Sequence, residues 1–162
     1  LRGREDVDGG RVGLVGMSMG GEQALGAAAA DARVLAVVAE GATSRTAADN
    51  SWFSEEYGFR GRLTEAWTGL LEYGLVDLLT SASPPGTLRD AVAAAAPRPV
   101  LLITASTIPD EPAAAQYIRS ESPGTVTVWD VPGAVHTGGL ETRPSAWEKR
   151  VVAFLERSLT AP

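Results

Sequence analysis

A serine, an adjacent pair of acids and a histidine each follow a short apolar run of this sequence. They are Ser18, Asp110 with Glu111, and His136, which is the single histidine among the 162 residues. A serine hydroxyl becomes a good nucleophile when a neutral imidazole removes its proton, and a carboxylate can fix the tautomer of that imidazole and stabilise its charged form. These residue types therefore indicate nucleophilic catalysis, provided that the fold brings them together.

Ser18 lies at the centre of the segment Gly16-Met17-Ser18-Met19-Gly20, between an apolar run and an alanine-rich run. This is the context of a G-x-S-x-G nucleophile elbow, in which a sharp strand-to-helix turn exposes the serine hydroxyl at the end of a sheet. We expect glycine at both outer positions because a larger side chain would collide with the strand or the helix. We expect the backbone N–H of Met19 to point to where an oxyanion forms. The alternative is a glycine-rich turn that serves only close packing.

The sequence leaves open which acid would act on His136. Asp110 and Glu111 are adjacent, so only one of them can face the histidine, and either would also stabilise the start of a helix predicted from Ala113. We favour Glu111 because it lies nearer the helix start and has the longer reach. Asp130, at the end of the last predicted strand, is a third candidate.

The apolar runs predict the sheet that would position these residues. Continuous apolar runs suit parallel strands that are buried on both faces, and reactive groups gather beyond the carboxyl ends of such strands. Alternation with helices predicts an α/β fold, with a parallel sheet of about four strands flanked by helices and joined by right-handed crossovers. The predicted strands are 11–15, 34–39, 100–104 and 125–131.

We predict a single domain over residues 1–162, with an aromatic-rich insertion at about 44–83. The insertion includes a stretch with helical spacing of apolar residues, namely Leu63, Trp67, Leu70, Leu71 and Leu78, and the segment Ser83-Pro84-Pro85-Gly86 is expected to end it. This stretch could lie over the carboxyl edge of the sheet or pack at the side of the core. In the first arrangement its aromatic side chains would line a pocket with Met17 and Met19, which suits an apolar acyl or aryl group.

Composition argues against several other classes of function. The net charge is −6 and the charges are interspersed, so no basic stripe indicates binding to nucleic acid or to an anionic membrane. The absence of cysteine removes disulfides and thiolate sites, and one histidine cannot form a multi-histidine metal site. No apolar run has the length of about 18 residues that a membrane span requires. The predicted chemistry needs no metal and no cofactor.

The segment Asp8–Gly21 resembles the elbow of α/β-hydrolases of the dienelactone hydrolase and prolyl oligopeptidase type. Pro99–Ile103 and Val131–His136 resemble the strands that carry the acid and the histidine of that family, so the chain resembles the C-terminal portion of such an enzyme. The resemblance implies a serine hydrolase that cleaves an ester or amide bond of a small molecule through an acyl-enzyme on Ser18. An acyltransferase with the same triad and a non-catalytic binding or assembly domain are the alternatives.

Two features depart from this family. The usual position of the acid is occupied by Ile108, so the carboxylate has moved to Asp110 or Glu111. In addition, only 17 residues precede Ser18, where the family has further strands and a second oxyanion donor. We therefore expect the outer edge of the first strand to be covered by another copy of the chain or by sequence outside it. We also expect weak activity from the chain alone, because one oxyanion donor contributes about 2.7–4 kcal/mol to transition-state stabilisation.

Overall fold

A sheet of four parallel strands forms the centre of the fold. The computed structural model describes residues 5–6, 8–79, 81 and 85–160. The strands lie in chain order and every neighbouring pair is parallel, which confirms the predicted α/β fold. The strands are β1 (Val12–Met17), β2 (Val34–Glu40), β3 (Val100–Ala105) and β4 (Val126–Val131). The helices are α1 (Met19–Ala30), α2 (Trp52–Leu79), α3 (Leu88–Ala95), α4 (Asp110–Arg119), α5 (Gly139–Thr142) and α6 (Pro144–Thr160), with a 3-10 helix (Ala47–Asn50) before α2.

Helices cover both faces of the sheet. On one face, α1, α3 and α4 bury apolar side chains against residues such as Val37 and Leu102. On the other face, α6 packs Val151 and Phe154 against residues such as Val38 and Ile103. Because β3 is buried at all six positions, its sequence is a continuous apolar run rather than an alternating one.

The insertion forms the long helix α2, which bends sharply at Gly58, where φ is 57°. The segment before the bend contains an aromatic cluster in which Trp52 stacks on Phe53 with ring centroids 4.2 Å apart. Across the bend, the Glu65 carboxylate accepts a hydrogen bond of 2.7 Å from the backbone N–H of Ser54. This contact ties the two segments together near the start of the helix.

After the bend, the large apolar side chains of α2 that the structure describes are exposed. The exposed side chains include Phe59, Leu63, Trp67, Leu70, Leu71, Leu75, Leu78 and Leu79. This exposure argues against packing at the side of the core, which is one of the two arrangements considered from the sequence. Of the segment predicted to end the insertion, Ser83 and Pro84 lie outside the described residues, whereas Pro85 and Gly86 lie in irregular chain before α3.

The strand β1 lies at one edge of the sheet. Within the described part of the chain, β2 is its only neighbouring strand. The side chains of Val15 and Met17, on the same face as α6, are partly exposed. The helices in the described ranges are all too short or too polar to cross a membrane.

Candidate active site

Ser18 occupies the sharp turn between β1 and α1 in a strained backbone conformation. Its φ of 50° and ψ of −125° lie in a sparsely populated region that costs a non-glycine residue about 1–3 kcal/mol. Three backbone hydrogen bonds hold it there. The Ser18 N–H donates to the Glu40 carbonyl at 2.7 Å, and the Ser18 carbonyl accepts from the N–H groups of Gly21 and Glu22 at 2.9 and 3.2 Å.

Gly16 and Gly21 allow this turn, whereas the sequence predicts that Gly16 and Gly20 are required. A Cβ at Gly16 would collide with the backbone of Gly20, as expected for an elbow. A Cβ at Gly20 would meet no atom within 4 Å, so the expected steric need at that position is wrong. Gly21 is the second tight position, because a Cβ there would lie 3.1 Å from the Ala39 Cβ, and this allows α1 to approach β2 closely.

The side chains of Ser18, His136 and Glu111 form a continuous hydrogen-bonded chain. His136 Nε2 lies 3.0 Å from Ser18 Oγ, and His136 Nδ1 lies 2.6 Å from Glu111 Oε1. Because a carboxylate only accepts hydrogen bonds, the proton of the neutral imidazole belongs on Nδ1. Nε2 is then free to accept the Ser18 hydroxyl proton, which is the arrangement that activates a serine.

Glu111 is held rigidly in the first turn of α4. Its side chain is only 2% exposed, and Oε2 accepts a hydrogen bond of 2.7 Å from the backbone N–H of Ala105 at the end of β3. The predicted start of this helix at Ala113 is wrong, since α4 begins at Asp110. Pro112 does not delay the helix because N–H groups of a first turn have no intrahelical acceptor.

The two other acids lie apart from His136. Asp110 is exposed and accepts a hydrogen bond of 3.2 Å from the Tyr57 hydroxyl. This bond is the main reason why the pKa of Tyr57 is raised above its ordinary value. Asp130 accepts from the Thr104 hydroxyl at 3.0 Å on the neighbouring strand. Of the three candidates, therefore, Glu111 alone has a hydrogen bond to His136.

Glu40 supports the loop that carries His136, and sequence reasoning did not identify it. Its carboxylate is buried at the end of β2, where it accepts hydrogen bonds of 2.7 Å from the Gly139 N–H and from the Trp147 indole N–H. These bonds connect β2 to the starts of α5 and α6, just beyond the histidine. A single acid at the end of the apolar run Val34–Ala39 is the signal that could have identified it.

Gly41, the next residue, lets the histidine ring approach the sheet. Its φ is 67°, and a Cβ there would lie 2.8 Å from His136 Cε1. The histidine loop is also tied to the end of β3, because Ser106 Oγ accepts a hydrogen bond of 2.8 Å from the Gly133 N–H. Thr107 donates from its hydroxyl to the Ala134 carbonyl at 2.5 Å.

Glu22 is another buried acid close to the site. It lies in α1, is 9% exposed and accepts long hydrogen bonds of 3.4 and 3.3 Å from the N–H groups of Thr43 and Ser44. Burial raises the pKa of its carboxyl above the ordinary value, and the two N–H groups oppose this shift only in part. The nearby Asp49 carboxylate also raises this pKa, and the influence of His136 lowers it.

The two methionines of the elbow differ in their surroundings. Met19 is the first residue of α1, so its backbone N–H belongs to the first turn, where N–H groups have no intrahelical acceptor. Its side chain is exposed, and that of Met17 is less so. Among the described residues, no group of three or more His, Cys, Asp or Glu side chains is arranged to hold a metal ion.

No protein-family model and no curated protein matches this sequence. Solved structures do match its fold. The α/β hydrolase GrgF from Penicillium sp. sh18 superposes with a TM-score of 0.59 at 16% identity, over 99% of this chain and 68% of its own. The esterase Pf2001 from Pyrococcus furiosus gives 0.57 at 18% identity, over 93% of this chain and 54% of its own.

A larger enzyme contains the same arrangement of elements. The acylaminoacyl peptidase from Pyrococcus horikoshii superposes with a TM-score of 0.61 at 18% identity, over all of this chain and 26% of its own. This chain thus spans about half the length of the Pyrococcus esterase and about a quarter of the length of the peptidase. At identities of 16–18%, these similarities show the fold of this chain and do not assign its activity.

Proposed function

Because this chain has part of the α/β-hydrolase fold, we propose that it is a serine hydrolase that cleaves an ester or amide bond through an acyl-enzyme on Ser18. The observation that carries the proposal is the hydrogen-bonded chain from Ser18 through His136 to Glu111, at the carboxyl ends of three parallel strands. The strained conformation of Ser18 supports it, since such strain concentrates at functional sites. The dienelactone hydrolase subtype is part of this proposal.

Each of the three side chains has a defined step in the proposed reaction. His136 Nε2 takes the hydroxyl proton as Ser18 Oγ bonds to the carbonyl carbon of the substrate, and the Met19 N–H donates to the oxyanion that results. The same imidazole then gives its proton to the departing alcohol or amine. Water attacks the acyl-enzyme by the same steps in reverse. Throughout, Glu111 holds the imidazole and stabilises its charged form.

The substrate class rests on the neighbours and on the elbow. One neighbour is an esterase and another an acylaminoacyl peptidase, which supports a small-molecule ester or amide as the substrate. Met17 would contribute an apolar wall next to the nucleophile, in keeping with an apolar acyl or aryl group. The imidazole is partly open to solvent, with 47% of its side chain exposed, so further residues would have to enclose the substrate.

The outer edge of β1 is where such residues would come from. We propose that another copy of the chain or sequence outside it pairs with this edge, because exposed strand edges promote association. The same partner would supply the second oxyanion donor that this type of enzyme uses.

Labelling with a fluorophosphonate, followed by intact-mass measurement, tests the proposed function directly. We expect one adduct on the unmodified chain, none on the Ser18→Ala variant, and an undiminished adduct on Ser120→Ala, which removes an exposed hydroxyl outside the site. If no adduct forms on this chain, the same test on a longer chain in which the edge of β1 is covered decides the matter, and a second negative result would favour a non-catalytic binding domain. Partition of a p-nitrophenyl ester between water and an added alcohol would distinguish hydrolysis from acyl transfer.

A further inference from the structure

A cleft beside β4, at the opposite edge of the sheet from β1, contains a concentration of positive charge. It lies between β4 and α6 and has a volume of about 670 Å³. Four of its lining residues are cationic, namely Arg143, Lys149, Arg150 and Arg157. The residues that line it are all different from those of the candidate active site, so this inference stands independently of the proposed function.

The charge of this cleft is opposite to that of the whole chain. The sequence has 20 acidic and 14 basic residues, yet no acid lines the cleft. Within the described ranges, none of the four cations lies within ion-pair distance of a carboxylate. Neighbouring cations without an ion-pair partner repel one another, and a bound anion would relieve that repulsion.

The shape of the cleft follows from the spacing of residues on α6. Ala146 and Ala153 lie on the same helical face as Arg150 and Arg157, so small side chains form the floor while long cationic ones form the walls. The Arg150 guanidinium lies over the ring of Trp129 on β4, 4.5 Å from its centre. This cation–π contact holds the guanidinium at the ring and leaves its N–H groups available to a ligand.

We propose that this cleft binds a small organic or inorganic polyanion that carries two or more phosphate or carboxylate groups. Arginine favours such groups because its planar fork donates two parallel hydrogen bonds to them. The volume lies within the range of roughly 300–1,000 Å³ that is typical of small-molecule sites. A second copy of this chain is a poor occupant, because symmetric pairing through the cleft would oppose cations to cations.

Isothermal titration calorimetry at low salt tests this site, with tripolyphosphate and citrate as separate probes for phosphate and carboxylate chemistry. The informative variant is Arg150→Gln/Arg157→Gln. Its matched control is Arg60→Gln/Arg62→Gln, which removes the same charge from two exposed positions on α2. We expect the affinity for at least one probe to fall tenfold or more in the cleft variant and less than threefold in the control. We also expect binding to weaken as salt is added.

Two results would overturn the proposal. One is the lack of measurable binding of either probe up to about 10 mM, which corresponds to negligible affinity. The other is an equal loss of affinity in the cleft variant and the control, which would show non-specific attraction to positive charge. If circular dichroism shows that the double variant is unfolded, the exposed single variant Lys149→Gln is used with Arg62→Gln as its control, and the same criteria apply.

Discussion

The Glu111 carboxylate lies 2.6 Å from His136 Nδ1, across 25 residues of sequence. The opposite oxygen of the same carboxylate accepts the Ala105 N–H, so the acid is fixed on two sides while it contacts the imidazole. A carboxylate can satisfy two donors in this way, whereas an amide presents only one acceptor oxygen. Because Asp110 has no such contact with the imidazole, substitutions at the two positions should have different effects on Ser18.

Replacement of the buried acid should affect the nucleophile far more than replacement of the exposed one. In Glu111→Gln, the amide oxygen can accept from Ala105 or from His136 but not from both, so the imidazole loses its preferred tautomer. We expect fluorophosphonate labelling of Ser18 to slow by about 10³–10⁴-fold, as in other triads that lose the acid. The matched variant Asp110→Asn should label at a rate within a factor of about three of the unmodified chain, because exposed groups contribute little. Equal slowing in both variants would contradict the proposed role of Glu111.

Gly41 should tolerate no side chain. The added Cβ of Gly41→Ala would lie 2.8 Å from His136 Cε1, and the positive φ of 67° would cost about 1–2 kcal/mol of stability in addition. We expect loss of Ser18 labelling together with a lower free energy of unfolding. Gly124→Ala is the control, since a Cβ there meets no atom within 4 Å. Normal labelling of Gly41→Ala would show that the ring position is not critical.

Glu40 should hold the histidine loop through its two acceptor oxygens. In Glu40→Gln, an amide NH₂ group must face either the Gly139 N–H or the Trp147 indole N–H, which leaves a buried donor unpaired at a cost of about 1–3 kcal/mol. Urea unfolding measures this loss, and the exposed Glu148→Gln should show almost none. In the background of Trp147→Phe, which removes one of the donors, we expect the Glu40→Gln cost to shrink. An unchanged cost in that background would show that the two residues are not coupled.

Local patterns predict the sheet well because its strands are buried on both faces. Runs such as Val34–Ala39 and Val100–Thr104 contain few polar residues, and only burial on both faces favours that composition. The elbow is also local, since the turn is defined by residues from Gly16 to Gly21. The chain order of serine, acid and histidine predicts their common edge, because the carboxyl ends of parallel strands meet there.

Contacts between distant residues are the part that the sequence could not supply. Glu40 contacts Gly139 and Trp147 from 99 and 107 residues away, and no local pattern encodes such a pairing. Asp110 and Glu111 differ by one position at a helix start, so the direction of each depends on where α4 begins. The exposure of the apolar residues of α2 also depends on tertiary structure. Helical spacing predicts that these residues share one face of the helix, but it does not predict which element packs against that face.

The edge of β1 should promote association of this chain. Its outer side is unpaired in the described part of the fold, and Val15 is 48% exposed beside it. In sedimentation velocity experiments we expect the average mass to rise with protein concentration, and Val15→Lys should reduce that rise because charge on an edge strand opposes pairing. Val152→Lys, at an exposed position of α6, is the control. A monomer at every concentration would leave sequence outside the chain as the partner of this edge.

Glu22 should make the stability of the fold depend on pH in a direction opposite to that of most carboxylates. Burial raises its pKa in the folded state above the ordinary value of 4.5, so between these two values the folded state binds more protons than the unfolded state. The contribution of Glu22 is therefore most favourable below pH 4.5 and is lost as the pH rises through the raised pKa.

The Glu22→Gln variant isolates this contribution. Its amide oxygen can still accept from the N–H groups of Thr43 and Ser44, but it carries no charge to be desolvated. We expect the variant to have a higher free energy of unfolding than the unmodified chain at pH 7, with a difference that shrinks towards pH 4. Urea unfolding at a series of pH values measures it, and Glu148→Gln at an exposed site of α6 should show no such trend. A variant that is less stable at pH 7 would mean that the two N–H groups stabilise the ionised carboxylate more than burial destabilises it.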